Sequence, residues 1–252
     1  MGCDAMPNEN NVLTIRPVYD DVTRVLAEKI STVFIKYARD RLYAVYDLYD
    51  ADATRELYEI NIMRRDPLIV AGFSHGLEDA IISDDETRGF LDVGNTITTN
   101  NRIVYLCACL TGRQLAPACV DIGARAVLAY DATLTIIVEN ETLEPAKGFK
   151  EVLAEKPARI FDGLTVQQVY DEIIAEYNKW IEYWDNRPEE YAPIIADTLR
   201  HDRDHFKLYG SGISRISLSH WILVGTTDIF AITYVILYAI RNIIHLYKLF
   251  KR

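Results

Sequence analysis

His75, in Phe73-Ser74-His75-Gly76, and Cys109, in Leu106-Cys107-Ala108-Cys109-Leu110-Thr111-Gly112, are the residue types in this chain best suited to joint chemistry. Each follows or ends a short apolar run, Leu68 to Phe73 and Ile103 to Ala108, that reads as a buried strand. In α/β sheets the carboxyl ends of strands are where reactive groups are presented. A thiol becomes a useful nucleophile near neutral pH when a base takes its proton, and an imidazole delivered to the same sheet edge is the usual base. The simplest reading of the pair is a cysteine hydrolase.

The other thiols compete only in part. Cys107 lies two residues before Cys109, so on a strand both point to the same side. Cys109 is preferred because it sits at the strand end and precedes the Thr111-Gly112 turn. Cys107 and Cys119 read as small core hydrophobes, the common fate of free cysteine. A zinc site is not expected, since Cys-x-Cys with one suitable histidine supplies three ligands and no matching second pair. No cofactor is implied.

Composition narrows the class. The chain has 252 residues, 50% of them hydrophobic and 25% charged, enough for one well-buried domain with appendages. A net charge of -10 and the lack of a basic stripe interleaved with aromatics exclude nucleic acid as an expected partner. Cys3, Cys107, Cys109 and Cys119 form no disulfide framework, which suits a reducing compartment. The stretch Met1 to Asn10 has neither the basic nor the apolar region of a signal peptide, and Met6 stands where a myristoylation motif requires Ser or Thr.

The elements that must position His75 and Cys109 alternate along the first half of the chain. Val12 to Tyr19 reads as a strand, followed by a helix capped by Asp20 or Asp21 whose apolar stripe runs from Val22 to Tyr37. Leu42 to Leu48 is a second strand, and Thr54 opens a helix that Pro67 stops before the Leu68 to Phe73 strand. Ile81-Ile82 and Phe90-Leu91 can form a hairpin. After the Ile103 to Ala108 strand come a helix from Leu115 to Ile122 and a fifth strand, Ala126 to Tyr130. Thr133 to Val138 fits either a strand or a loop. Glu139 to Gly163, rich in charge, Pro and Gly, reads as an excursion, and Thr165 with Gln168 makes a capping box for a long amphipathic helix ending near Trp184. Another helix is expected from Pro193 to about Arg203. Strands separated by helices predict an α/β fold with a mostly parallel sheet covered by helices on both faces.

In this order of elements the chain resembles the caspase-like cysteine peptidases, the group of caspases, metacaspases, legumain, separase, gingipains and CHAT domains. That fold carries His-Gly after its third strand and the nucleophilic cysteine after its fourth, matched here by His75-Gly76 and Ala108-Cys109-Leu110-Thr111-Gly112. Gly123 to Tyr130 is similar to the helix end and fifth strand of gingipain-like and CHAT members, and Leu164-Thr165-Val166, Asp202-Arg203-Asp204 and Lys207-Leu208-Tyr209-Gly210 to the closing part of gingipain-like domains, so the resemblance spans Val12 to Gly210. It implies that Cys109 attacks a scissile carbonyl, that His75 protonates the leaving amine, and that the N–H groups of Gly76 and Cys109 form the oxyanion hole. In relatives that cleave after Arg or Lys, an acidic residue near the end of the first strand or beside the nucleophile receives the basic side chain. Asp20, Asp21 and Asp131 are the corresponding substrate-binding candidates; helix capping is the competing role for Asp20 and Asp21. Ala108, just before the nucleophile, departs from the metacaspase pattern, which carries an acid close by.

The end of the chain has a different character. Trp221 to Ile240 carries one formal charge, Asp228, and ten Ile, Leu, Val or Phe. Those ten contribute about -3 to -6 kcal/mol to insertion, against about +2.5 to +3.5 for a central Asp, so spanning is narrowly favoured and the length fits a bilayer. Packing against a second subunit or the domain's own surface is the alternative. The expected organisation is a polar tail at 1–10, a peptidase domain at 11–216 with its excursion near 139–164, and a transmembrane helix with basic tail at 217–252. This describes a membrane-associated cysteine endopeptidase with its catalytic domain in the cytoplasm, acting on a protein or peptide, with Asp228 favouring homo-oligomers. The alternative function is a catalytically silent caspase-like module that binds a partner and assembles through its C-terminal helix.

Overall fold

The computed structural model describes residues 7–83, 89–139 and 141–216. Its first strand, β1 (Asn8–Arg16), ends where Pro17 removes the next backbone donor. Asp20 then caps α1 (Asp21–Arg24), which continues through a π-helical turn, Val25–Ile30, into α2 (Ser31–Asp40). Next come β2 (Ala44–Tyr49), α3 (Arg55–Arg65) capped by Thr54, and β3 (Pro67–Phe73). The expected hairpin is present as β4 (Ala80–Ile82) and β5 (Gly89–Asp92). β6 (Ile103–Cys107), α4 (Leu115–Asp121) and β7 (Ala126–Tyr130) follow. Two long helices, α5 (Val166–Asp185) and α6 (Ala192–His205), lead into β8 (Phe206–Gly210).

The strands form one six-stranded sheet in the order β2-β1-β3-β6-β7-β8, parallel except for β8. The fold is α/β. All seven residues of β3 and all five of β6 and β7 are buried, because helices cover both faces and the central strands become apolar throughout. Alternate side chains still go to opposite cores. Ile103, Tyr105 and Cys107 join the core that holds α2, α5 and α6, whereas Val104 and Leu106 join the one that holds α3 and α4.

Two regions, the one after α6 and the one after Glu139, differ from the sequence-based expectation. β8 runs antiparallel along β7 and covers an edge that would otherwise expose unpaired backbone; its five residues follow α6 with no intervening turn residues to announce a strand. The excursion after Glu139 contains helical turns at Glu151–Glu155 and Pro157–Asp162, and Phe149, Val152, Leu153 and Phe161 are fully buried. Several of its charges belong to ion pairs, Lys156 with Glu176 and Lys29 and Lys150 with Glu144, so a charged composition conceals a core segment. Thr133 to Val138 remains irregular apart from a bridge between Val138 and Pro145. The expected C-terminal transmembrane helix lies outside the described residues, among which no helix is long and apolar enough to cross a membrane.

Candidate functional site

β3 and β6 are neighbours in parallel, with Phe73 opposite Cys107. Two residues further along each chain lie His75 and Cys109, so strand register brings them to the same carboxyl rim. The chains stay close beyond the last strand pair. The Ser74 N–H donates to the Cys107 carbonyl at 3.4 Å, and a Cβ built on Gly76 would collide with the Cys109 carbonyl oxygen and approach Thr111 and Ala108. Glycine at 76 is what permits this contact.

The hairpin and the first helix fix the histidine. The Ile82 N–H donates to the His75 carbonyl at 3.0 Å, while the Ser74 hydroxyl donates to the Ile82 carbonyl at 2.8 Å. The ring then meets Asp20, whose Oδ2 lies 2.7 Å from Nε2, and packs with its centroid 5.9 Å from that of Tyr19. Asp20 simultaneously accepts the Thr23 N–H at 2.8 Å as the helix cap. Burial works to raise its carboxyl, but the Thr23 N–H and the His75 ring outweigh it and hold Asp20 below its usual value. An ionised carboxylate can only accept, so Nε2 is the donor in this contact and Nδ1 is left for another partner.

Cys109 sits on a tight bend after β6. Leu110 adopts a left-handed conformation, φ 61°, and its N–H bonds to the Ala132 carbonyl at 2.9 Å, while the Gly112 N–H bonds to the Tyr130 carbonyl at 2.8 Å. This clamps the bend to the end of β7 and the segment after it. A non-glycine residue held at positive φ costs about 1–3 kcal/mol and persists only when its surroundings enforce it. The thiol accepts from the Leu134 N–H at 3.3 Å and donates to the Leu134 carbonyl at 3.6 Å. Burial pushes the Cys109 thiol up; the Leu134 N–H opposes this and the Asp202 carboxyl reinforces it. Near neutral pH the sulfur is therefore held as a thiol that needs a base. Among the described residues, neither the Gly76 nor the Cys109 N–H is taken up by a backbone acceptor.

His75 and Cys109 line one cavity of about 280 Å³, together with Ser74, Ala108 and apolar side chains of the first helix and of the segment after β7. The other expected residues are distributed differently. Asp20 is engaged by His75 and Thr23, and Asp21 lies on the cavity wall paired with Arg24 at 3.0 Å. Asp131 is bonded to Nδ1 of His205 at 2.6 Å. Cys107 and Cys119 are fully buried, the first on the α2 side of the sheet and the second on the α4 side. No group of three His, Cys, Asp or Glu among the described residues could hold a metal ion.

Sequence reasoning missed two contributors. Leu134 brackets the sulfur through its backbone, which no side-chain pattern reveals. Asp202 is fully buried on α6, with Oδ1 accepting the Thr135 N–H at 3.2 Å and Oδ2 without a partner among the described residues. Asp20 was legible as a cap, but its contact with a histidine 55 residues away was not.

No family model and no curated protein matches the chain. Solved structures do. The complex of pro- and mature domains of Porphyromonas gingivalis RgpB superposes with a TM-score of 0.55 at 13% identity, covering 84% of this chain and 50% of that one. A chain described as "Structure of Protease" gives 0.53 at 13% identity, again covering 84% and 50%. The Arg-specific cysteine proteinase gingipain R gives 0.49 at 13% identity, covering 84% and 49%. The chain spans about half the length of the structures it matches. Its described part has the caspase-like cysteine peptidase fold.

Proposed function

We propose that this chain is a cysteine endopeptidase in which Cys109 is the nucleophile and His75 carries the proton. The observation that supports this most is that His75 and Cys109 line one cavity at the carboxyl rim of β3 and β6. With Nε2 engaged by Asp20, Nδ1 takes the thiol proton and the sulfur attacks the scissile carbonyl carbon. A C–S bond forms, the carbonyl electron pair moves to oxygen, and the N–H groups of Gly76 and Cys109 receive the oxyanion. Collapse breaks the C–N bond, and the departing amine takes the proton from His75. Water then cleaves the thioester: His75 accepts its proton, hydroxide adds, and the sulfur leaves to be reprotonated.

The substrate is a protein or peptide. The segment from Trp221 to Ile240 suits a bilayer anchor in length and apolar content, and the reading extends to a membrane-tethered enzyme with its catalytic domain in the cytoplasm and self-association through Asp228. A second reading, a catalytically silent module, is favoured by the upward shift of the Cys109 thiol and its hold on Leu134. A peptidyl acyloxymethyl ketone separates them. Covalent labelling of Cys109 in the full chain, lost in Cys109→Ala and His75→Ala, supports the enzyme. An unlabelled wild type that still binds a peptide supports the module.

A further inference from the structure

We infer that the cavity beside Cys109 receives a large apolar side chain, so that the enzyme cleaves after residues such as Leu, Met or Phe instead of after Arg or Lys. The inference rests on the peptidase reading and names its substrate class. In the attacked residue the side chain hangs from the carbon bonded to the scissile carbonyl. Once the sulfur bonds that carbonyl, the side chain must occupy space adjoining both Cys109 and His75.

That space is the cavity of about 280 Å³ that both residues line. It lies just under the roughly 300–1,000 Å³ typical of small-molecule pockets, a size that suits one side chain. Val22, Val25 and Leu26 enter it from the first helix, and Leu134, Ile136 and Val138 from the segment after β7. Val25 and Leu26 are 4% and 2% exposed, so they close its inner part.

A basic side chain would need a carboxylate there, because an unpaired charge in apolar surroundings is strongly penalised. Two of the three candidate acids are engaged elsewhere. Asp20 accepts from Thr23 and meets the His75 ring, and Asp131 pairs with His205. Asp21 is the one carboxylate among the described lining residues, and its side chain is 72% exposed and paired with Arg24. The Ser74 hydroxyl is used by the Ile82 carbonyl. Apart from Thr135, which carries no charge, the rest of the lining is hydrocarbon.

The test uses the full chain and four acyloxymethyl ketones that share one peptide and differ only in the residue next to the reactive carbonyl: Leu, Phe, Arg or Asp. Cys109 displaces the carboxylate leaving group, and mass spectrometry follows formation of the thioether. Labelling by the Leu or Phe probe at least about tenfold faster than by Arg or Asp is the expected result. Equal or faster labelling by Arg or Asp overturns the inference and leaves the peptidase reading standing. Failure of all four while iodoacetamide still alkylates Cys109 defeats the peptidase reading, and the inference falls with it.

Two variants sharpen the result. Ile136→Asp changes a half-buried residue of an irregular segment and is expected to raise the Arg rate relative to Leu at least tenfold (roughly the discrimination of one pocket contact), with the melting temperature reporting that the variant is folded. Asp21→Asn is expected to leave the order of probes unchanged. A fast Arg probe in the wild type that Asp21→Asn abolishes makes the cavity a basic site and overturns the inference.

Discussion

The Oδ2 atom of Asp20 lies 2.7 Å from Nε2 of His75, and the other oxygen of the same carboxylate accepts the Thr23 N–H. One side chain thus starts the helix that covers the sheet and sets the orientation of the ring at the sheet's edge. The two roles can be separated, because asparagine is as good a helix cap as aspartate but carries no charge. Asp20→Asn is expected to lower the rate of Cys109 acylation about 10- to 100-fold, the size seen when a histidine loses its orienting carboxylate elsewhere, with little change in melting temperature. Asp20→Ala should add about 1 kcal/mol of destabilisation from the lost cap. Acylation kinetics and denaturant unfolding of both variants check this; an Asn variant as fast as wild type would remove Asp20 from the site.

Gly76 is packed against the Cys109 backbone with no room for a methyl group. Gly76→Ala must push the two strand ends apart, at about 1–3 kcal/mol for a forced overpacking. Because the obstructing atom is the carbonyl oxygen of Cys109 itself, stability and Cys109 labelling should fall together. Denaturation midpoints that stay at the wild-type value would contradict the close approach.

The thiols should differ sharply in reactivity. Burial pushes Cys107 up to about 12 and Cys119 up to about 11, while Cys109 is raised and lines the cavity that His75 also lines. In a Cys3→Ser background, iodoacetamide is expected to modify Cys109 first and to spare the other two until the protein unfolds. Since the thiol is held up and not ionised at rest, the rate should keep rising with pH beyond 9.0, its unperturbed value. A plateau near neutrality would mean a preformed thiolate–imidazolium pair instead.

Asp202 predicts a pH dependence of stability. Burial raises its carboxyl from 3.8 to about 8, with the Thr135 N–H opposing. The folded chain therefore holds this proton more tightly than the unfolded chain, and the contribution of the neutral acid is fully present below 3.8 and lost as pH rises toward about 8. The loss approaches about 1.4 kcal/mol per pH unit across that window. Asp202→Asn should abolish this component, so the stability difference between variant and wild type grows in the variant's favour with rising pH. Parallel curves from pH 4 to 8, followed by urea unfolding, would show that the carboxyl is not perturbed.

Local information in the chain was enough for the strand-and-helix alternation, the Thr165 cap, a cap at Asp20 or Asp21, and the positions of His75 and Cys109 at strand ends. These depend on apolar periodicity and on capping chemistry, which act within a few residues. Where His75 and Cys109 stand relative to each other follows from the pairing of β3 with β6, and the Asp20 contact from how the first helix packs, both long-range choices. The excursion's buried helical turns were misread because Lys156 and Glu176, far apart in sequence, neutralise one another only after folding. Likewise Asp202 looks like any helix-surface acid until α6 is packed, and the apolar lining of the cavity exists only once the first helix and the segment after β7 meet across the sulfur. Residue types set which chemistry was available; tertiary packing decided which groups meet, because burial and charge pairing are properties of neighbours in space.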